Sequence, residues 1–177
     1  MREEIIDLKF QVFPPLVTRG QHVLILLRNQ AGQFVLGCKE IYPDAICRML
    51  GGGVDSGENP DDAAVRELRE ETGLTVDDTD LTKIAMVTAD ITDQKQKLVK
   101  FITTIYFYDC GDAKIEADDD VKEFCYLSQT DMVTLIDHYK NLPYPIDPQV
   151  KFSWYDYGQL YSYIHQLALD EVRTEQL

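Results

Sequence analysis

Apolar and polar positions along this chain fall into short strand-like runs and a few helical stripes. Ile5 to Phe13 alternates loosely and predicts a strand ended by Pro14 and Pro15. His22 to Arg28 and Gln33 to Lys39 are apolar runs joined by Asn29-Gln30-Ala31-Gly32, a hairpin pattern. Ile46 to Leu50 predicts a short strand running into Gly51-Gly52-Gly53. Pro60 to Thr72 predicts a helix. Leu81 to Ala89 and Leu98 to Tyr108 predict strands, the second rich in β-branched and aromatic residues. Glu123 to Leu127 is a further short strand, and Thr130 to Lys140 and Tyr155 to Val172 read as helices. Many strands with few helices favour an α/β (α+β) fold, with a mixed sheet covered by helices.

No internal repeat, low-complexity tract or Gly/Ser linker interrupts the pattern. Residues 1–177 therefore read as one domain, with 141–177 as a C-terminal helical extension. The extension is reached through Asn141 to Pro148, a stiff stretch holding three of the seven prolines. Its helix carries Tyr157, Leu160, Tyr161, Ile164, Leu167 and Ala168 at helical spacing, with Trp154, Tyr155 and Tyr163 nearby. That stripe is too wide to leave in water, so packing against the domain or a homodimer surface is expected. Tyr42, Phe101 and Tyr106 suit either a stacking surface or, more commonly for strand aromatics, the core.

No apolar run is long enough to cross a bilayer, and Met1 to Glu4 does not read as a signal peptide. The four cysteines, Cys38, Cys47, Cys110 and Cys125, are scattered without a CxxC pair. They read as small core residues in a reducing cytoplasm and, with three unclustered histidines, give no metal signature. Charge is more informative. The net charge is −14, and residues 55–80 hold ten acids against Arg66 and Arg69 alone. Such a chain repels anionic membranes and nucleic acid polymers, and a phosphate substrate would need a cation as mediator.

The acidic stretch has structure of its own. Asn59 suits an N-cap, Pro60 the first helical position, Asp61 and Asp62 the positive end of the dipole, and Gly73 the C-terminal stop. At 100° per residue Val65, Leu68 and Thr72 share one face, assigned to the core. Glu67, Glu70 and Glu71, at i, i+3 and i+4, share another. Carboxylates at that spacing repel. Three glutamates are most often a solvated face, but a divalent cation between them would relieve the repulsion. Hard oxygen ligands suit Mg²⁺, with Mn²⁺ next. The glycine run allows a sharp turn and brings backbone oxygens beside that face.

Gly52, five residues, Glu58, seven residues, Arg66-Glu67-Leu68, one residue, Glu70-Glu71, one residue, Gly73-Leu74: this spacing matches every specified position of the Nudix box. The chain resembles the Nudix family directly over these 23 residues and more loosely from about Gln21 to Lys140. The resemblance implies an α/β/α sandwich around a mixed sheet, here with an extra C-terminal helix. It also implies hydrolysis of a nucleoside diphosphate linked to another group, hence a small-molecule nucleotide as partner. Glu67, Glu70 and Glu71 would hold Mg²⁺, with the Gly51 carbonyl as a further ligand. Arg66 and Glu58 would pair and orient the carboxylates, and Glu67 would take the proton of the attacking water. Asp93, Glu116, Asp118, Asp119 and Asp120 are candidates for a further acid from a loop, although Asp118-Asp119-Asp120 also suits a plain solvated loop. Arg48, just before the glycines, is a candidate phosphate contact or else a surface ion pair. Family members often have Pro before the two glycines, and Leu50 stands there in this chain. Ala89 to Thr92 occupy the stretch where some subfamilies place a diagnostic Pro or Tyr, so neither subfamily is indicated. A nucleoside triphosphate, or a nucleotide sugar or alcohol, remains as substrate. The alternative is a non-catalytic nucleotide-sensing module on the same fold.

Overall fold

The computed structural model describes residues 1–118 and 120–175. Six strands form one mixed sheet: β1 (Arg2–Phe10), β2 (Gln21–Asn29), β3 (Phe34–Cys38), β4 (Thr82–Asp93), β5 (Leu98–Gly111) and β6 (Glu123–Leu127), in the spatial order β1-β4-β5-β2-β3-β6. β1 runs parallel to β4 and β2 parallel to β5, while the other neighbours are antiparallel. Helix α1 (Pro60–Thr72) covers one face. Helices α2 (Gln129–Lys140) and α3 (Trp154–Glu175) cover the other.

The helices start and stop where local chemistry says they should. The Asn59 side chain accepts the Asp61 amide at 2.6 Å, and Gly73 closes α1 in the left-handed region at φ 73°. Ser128 and Asp131 form a reciprocal capping box at the start of α2. The first strand is displaced from its expected place: it runs Arg2–Phe10 and not to Phe13, because its partner β4 fixes the register from Arg2↔Ala85 to Phe10↔Asp93.

The hairpin of β2 and β3 departs most from expectation. Only Leu27↔Val35 and Arg28↔Phe34 pair before the strands part. The segment expected as a strand at 46–50 makes no strand of its own and fills the opening. Arg48 exchanges two backbone hydrogen bonds with Gly37 of β3, each 2.9 Å. Leu50 and Gly52 accept from Ile25 and Val23 of β2 at 2.8 and 3.0 Å. Gly51 is obligatory in this wedge: its φ is +125°, and a Cβ there would lie 2.2 Å from the Val23 carbonyl.

The apolar stripe of α3 is consumed inside the chain. Trp154, Tyr157, Leu160, Tyr161, Ile164 and Leu167 are all buried beneath β1, β4 and α2. The surface that suggested a dimer contact is therefore not left on the outside. Phe101 and Tyr106 are core residues, whereas Tyr42 reaches a cleft described below. The cysteines also differ from expectation. Cys38, Cys47 and Cys125 converge, and only Cys110 stands apart as a buried core thiol. Pairing of β3 with β6 and of Arg48 with Gly37 brings them together, which linear spacing does not show. Among the described residues no helix is long and apolar enough to cross a membrane.

Candidate active site

Small residues bring α1 close to the sheet. Ala63, Ala64 and Leu68 are fully buried against Val23, Ile25 and Leu27 of β2. Leu68 and Thr72 are buried as expected, and the buried face extends beyond them to the glutamate side. Val65 is only half-buried, while Glu67 and Glu71, one turn apart, lie on the buried side at 9% and 1% exposure. They fit there because the facing segment is glycine. A Cβ on Gly52 would lie 2.6 Å from both Glu67 oxygens. Glu70 stays at the rim with a side chain 41% exposed, so the three glutamates are not equivalent.

Arg66 organises the cluster. Its Nε and Nη2 donate to the two oxygens of Glu58 at 2.8 and 2.9 Å, a bidentate fork. Its Nη1 donates to Glu67 Oε1 at 2.7 Å and Glu70 Oε2 at 3.1 Å, and Nη2 also reaches the Gly53 carbonyl at 3.0 Å. One guanidinium thus ties the glycine loop, Glu58 and two box glutamates together. The fork lowers the Glu58 pKa to about 2. Glu71 is held separately: its Oε2 accepts the Gly51 amide at 2.6 Å, and Oε1 faces Lys39 Nζ at 3.2 Å. Burial pushes the carboxyls of Glu67 and Glu71 above their usual range despite these cations.

Arg48 is no surface residue. It is 5% exposed, its Nη2 donates to the Gly51 carbonyl, and its guanidinium carbon lies 5.6 Å from the centre of the Tyr161 ring. The carbonyl expected as a metal ligand therefore already accepts one hydrogen bond, although a carbonyl oxygen has a second lone pair. Behind Arg48, His165 Nδ1 donates to the Tyr161 carbonyl at 2.7 Å and Nε2 accepts the Met49 amide at 3.1 Å, a tautomer assigned by these partners. Burial lowers the His165 pKa to about 4. His22 is also fully buried, with no hydrogen-bond partner for either ring nitrogen among the described residues, and its pKa is pushed well below the usual value.

A cleft of roughly 500 Å³ opens over the cluster. Gly51 to Gly53, Glu67, Glu70, Lys39, Arg48 and Asp120 line its charged end, and Tyr42, Phe152, Trp154 and Tyr157 its aromatic wall. Of the loop acids, Asp120 enters the site through an ion pair with Lys39 and is not simply solvated. Asp93 instead caps its own turn through the Lys95 and Lys97 amides. Glu116 and Asp118 join the site's rear by donating their amides to the carbonyls of Thr72 and Glu71, at 3.1 and 3.4 Å. Asp119 lies outside the described residues. Lys39 was not legible beforehand, because nothing in the linear pattern marks a single lysine; of the aromatic wall only Tyr42 stood out as a stacking candidate, and Phe152, Trp154 and Tyr157 belong to a segment about 80 residues beyond the box.

A family model for the NUDIX domain matches residues 18–149, the span that holds the glycine loop, Arg66 and the box glutamates. The chain belongs to the NUDIX family. The matched span ends before α3. An RNA pyrophosphohydrolase of Pseudomonas putida is 45% identical over 60 residues, 34% of this chain and 36% of that protein. One of Cereibacter sphaeroides is 44% identical over 50 residues, 28% and 31% of the two chains. The matches thus span about a third of the length of these relatives. Among solved structures, the NUDIX domain of Shewanella oneidensis NrtR, complexed with ADP ribose, has a TM-score of 0.58 at 13% identity over 89% of this chain and 88% of that one. A bifunctional NMN adenylyltransferase/ADP ribose pyrophosphatase of Francisella tularensis, complexed with AMP and a manganese ion, has a TM-score of 0.52 at 16% identity over 88% and 43%. These structures share the fold.

The NUDIX box of this chain fits a divalent cation. Glu58, Glu67, Glu70, Glu71 and Asp120 outnumber Arg66, Lys39, Arg48 and Arg19, so negative charge is left uncompensated. The oxygen donors are those a hard cation prefers.

Proposed function

We propose that this protein hydrolyses a phosphoanhydride bond in a small nucleoside diphosphate derivative, with Mg²⁺ as its cation and Mn²⁺ as a substitute. The observation that carries this reading is the acidic cluster tied by Arg66 to the glycine loop, at the foot of a cleft whose other wall is aromatic. Glu67, Glu70, Glu71 and the Gly51 carbonyl would hold the cation. When bound, it neutralises the substrate phosphates and acidifies a water molecule. Glu67, whose carboxylate lies beside Gly52 of the glycine loop, would take the proton of the attacking water. Arg66 and Glu58 position Glu67 and Glu70. Lys39 and Arg48 supply positive charge on the phosphate side, and the aromatic wall offers a face to the base.

A free nucleotide suits the site better than an RNA end. The net charge of −14 disfavours a long polyanion, and the aromatic wall offers stacking for a single base. A nucleoside triphosphate is the first choice, ahead of a nucleotide sugar or alcohol. The test is a panel of nucleoside triphosphates, nucleotide sugars, ADP-ribose and a 5′-triphosphorylated RNA oligomer, each with Mg²⁺. Phosphate release is scored before and after added pyrophosphatase. Turnover of a small nucleotide, lowered at least about a hundredfold by Glu70→Gln with an unchanged circular dichroism spectrum, is the expected result. Turnover that persists in excess chelator overturns the mechanism, and preference for the RNA overturns the substrate choice.

A further inference from the structure

Three segments far apart in sequence bring three thiols to one place. Cys38 ends β3, Cys125 lies on β6, and Cys47 lies in the connection between β3 and α1. Leu36 pairs with Cys125 and Cys38 with Glu123, so Cys38 and Cys125 are diagonal neighbours on one sheet face. Their sulfurs are 3.0 Å apart, and the Cys47 sulfur touches both still more closely. All three sulfurs lie within 4.8 Å of one another. Cys47 is 4% exposed, while Cys38 and Cys125 are partly open to solvent at the β6 edge, which gives an entry path.

One sulfur closes only one disulfide, so Cys47 cannot join both neighbours. The Cα separations, 4.5 Å for Cys38–Cys47 and 6.6 Å for Cys47–Cys125, sit at opposite ends of the disulfide range, whose usual value is about 5.5–6 Å. Either disulfide would also strand the third thiol against it. A single ion engages every one of them once the side chains turn to set the sulfurs roughly 3.8 Å apart, the separation that metal–sulfur bonds of about 2.3 Å require. We propose that Cys38, Cys47 and Cys125 form a three-thiolate site for a thiophilic closed-shell ion, Zn²⁺ or Cu⁺. Thiolates select these ions over Mg²⁺, so the site is chemically distinct from the carboxylate cluster. Three sulfurs complete a trigonal Cu⁺ site and leave a fourth position for water on Zn²⁺. Binding releases the thiol protons to solvent and changes no oxidation state. It also braces the cleft. Cys38 directly precedes Lys39, which holds Glu71, and Cys47 directly precedes Arg48, which holds the Gly51 carbonyl.

The full chain, reduced with a phosphine and freed of metal under argon, is titrated with Zn²⁺ and separately with Cu⁺, each against a chromophoric chelator. Co²⁺ serves as a spectroscopic probe, because its sulfur-to-metal charge-transfer band reports thiolate ligation and is silent for binding at the glutamates. One ion per chain is expected, with protection of the three thiols from alkylation. Cys47→Ser should lower affinity at least about a hundredfold, more than the loss of a supporting partner costs. Cys110→Ser should leave it unchanged. Tight Cu⁺ with weak Zn²⁺ binding identifies the trigonal ion, and the reverse identifies Zn²⁺. The alkylation measurement needs no variant, so a misfolded Cys47→Ser protein does not decide the matter. Absence of the charge-transfer band, with alkylation rates indifferent to metal, overturns the proposal. So does a single disulfide that forms in air and that Zn²⁺ does not prevent.

Discussion

The two faces of the sheet are built on opposite principles. On the α1 face a thin layer of Val23, Ile25, Leu27, Ala63, Ala64 and Leu68 holds the helix close. Above it two buried carboxylates have their pKa values raised by desolvation. On the α2/α3 face the layer is thick and aromatic: Tyr139, Phe152, Trp154, Tyr157 and Tyr161 pack ring against ring, with Tyr157 and Tyr161 4.2 Å apart between ring centres, and Phe101 stacks on His22. Burying each such ring contributes about 1.5–3 kcal/mol, whereas buried charge without full compensation subtracts. The face that carries the chemistry is thus electrostatically unfavourable, and the opposite face offsets it. The two meet at Arg48, which reaches from Tyr161 to the Gly51 carbonyl.

The largest break in this comparison is removal of the aromatic face. Truncation after Leu142 deletes Phe152, Trp154, Tyr157, Leu160, Tyr161 and Ile164. At about 1.5–3 kcal/mol each, their loss approaches or exceeds the whole stability of a typical domain, about 5–15 kcal/mol. The shortened chain should be insoluble or lack a cooperative melt. A soluble product with a cooperative transition would show that the α1 face suffices alone.

Acid should act next, and through the aromatic face. The folded pKa of His165 lies at about 4, below its usual 6.5. Between those values the unfolded chain binds the extra proton. The stability it contributes is therefore complete above about pH 6.5 and is lost as the pH falls toward about 4, in total about 3 kcal/mol. Melting temperature followed from pH 7 to 4.5 should fall less steeply in His165→Gln, which keeps an acceptor for the Met49 amide. Equal slopes would show that the ring is reached by solvent.

Close helix packing on the same face gives the third test. Gly158 is where α3 meets α2: a Cβ there would lie 2.0 Å from the Tyr139 carbonyl. Gly158→Ala should destabilise by about 1–3 kcal/mol through overpacking, although alanine is the better helix former. A raised melting temperature would show that the helices part without loss.

On the α1 face, Arg66→Ala should remove most activity but only about 1–2 kcal/mol of stability. The Arg66 and Glu58 side chains keep 23% and 17% of their exposure, so solvent screens the charges left behind. Urea unfolding beside single-turnover rates separates the two effects. A stability loss as large as that of Gly158→Ala with activity retained would make Arg66 a structural residue only.

Much of this molecule was legible in one dimension. The caps of α1, the strand periods and the box spacing are set by neighbours within a few residues, and the structure keeps them. The box also named Glu58, Arg66 and the three glutamates, of which Glu67 and Glu70 line the cleft. Periodicity placed Leu68 and Thr72 of α1 in the core, where they are, but it did not show that the buried face extends to Glu67 and Glu71, for which the absence of side chains on Gly51 to Gly53 makes room. The strand expected at 46–50 became a wedge because β2 and β3 part after two pairs, and the backbone of Arg48, Leu50 and Gly52 takes up the hydrogen bonds left open between them. Lys39, Asp120, the aromatic wall and the gathered cysteines depend on segments as much as 115 residues apart. Their meeting is decided by strand order and helix packing, which no local pattern encodes, because a sheet joins strands by backbone hydrogen bonds that are alike whatever the side chains.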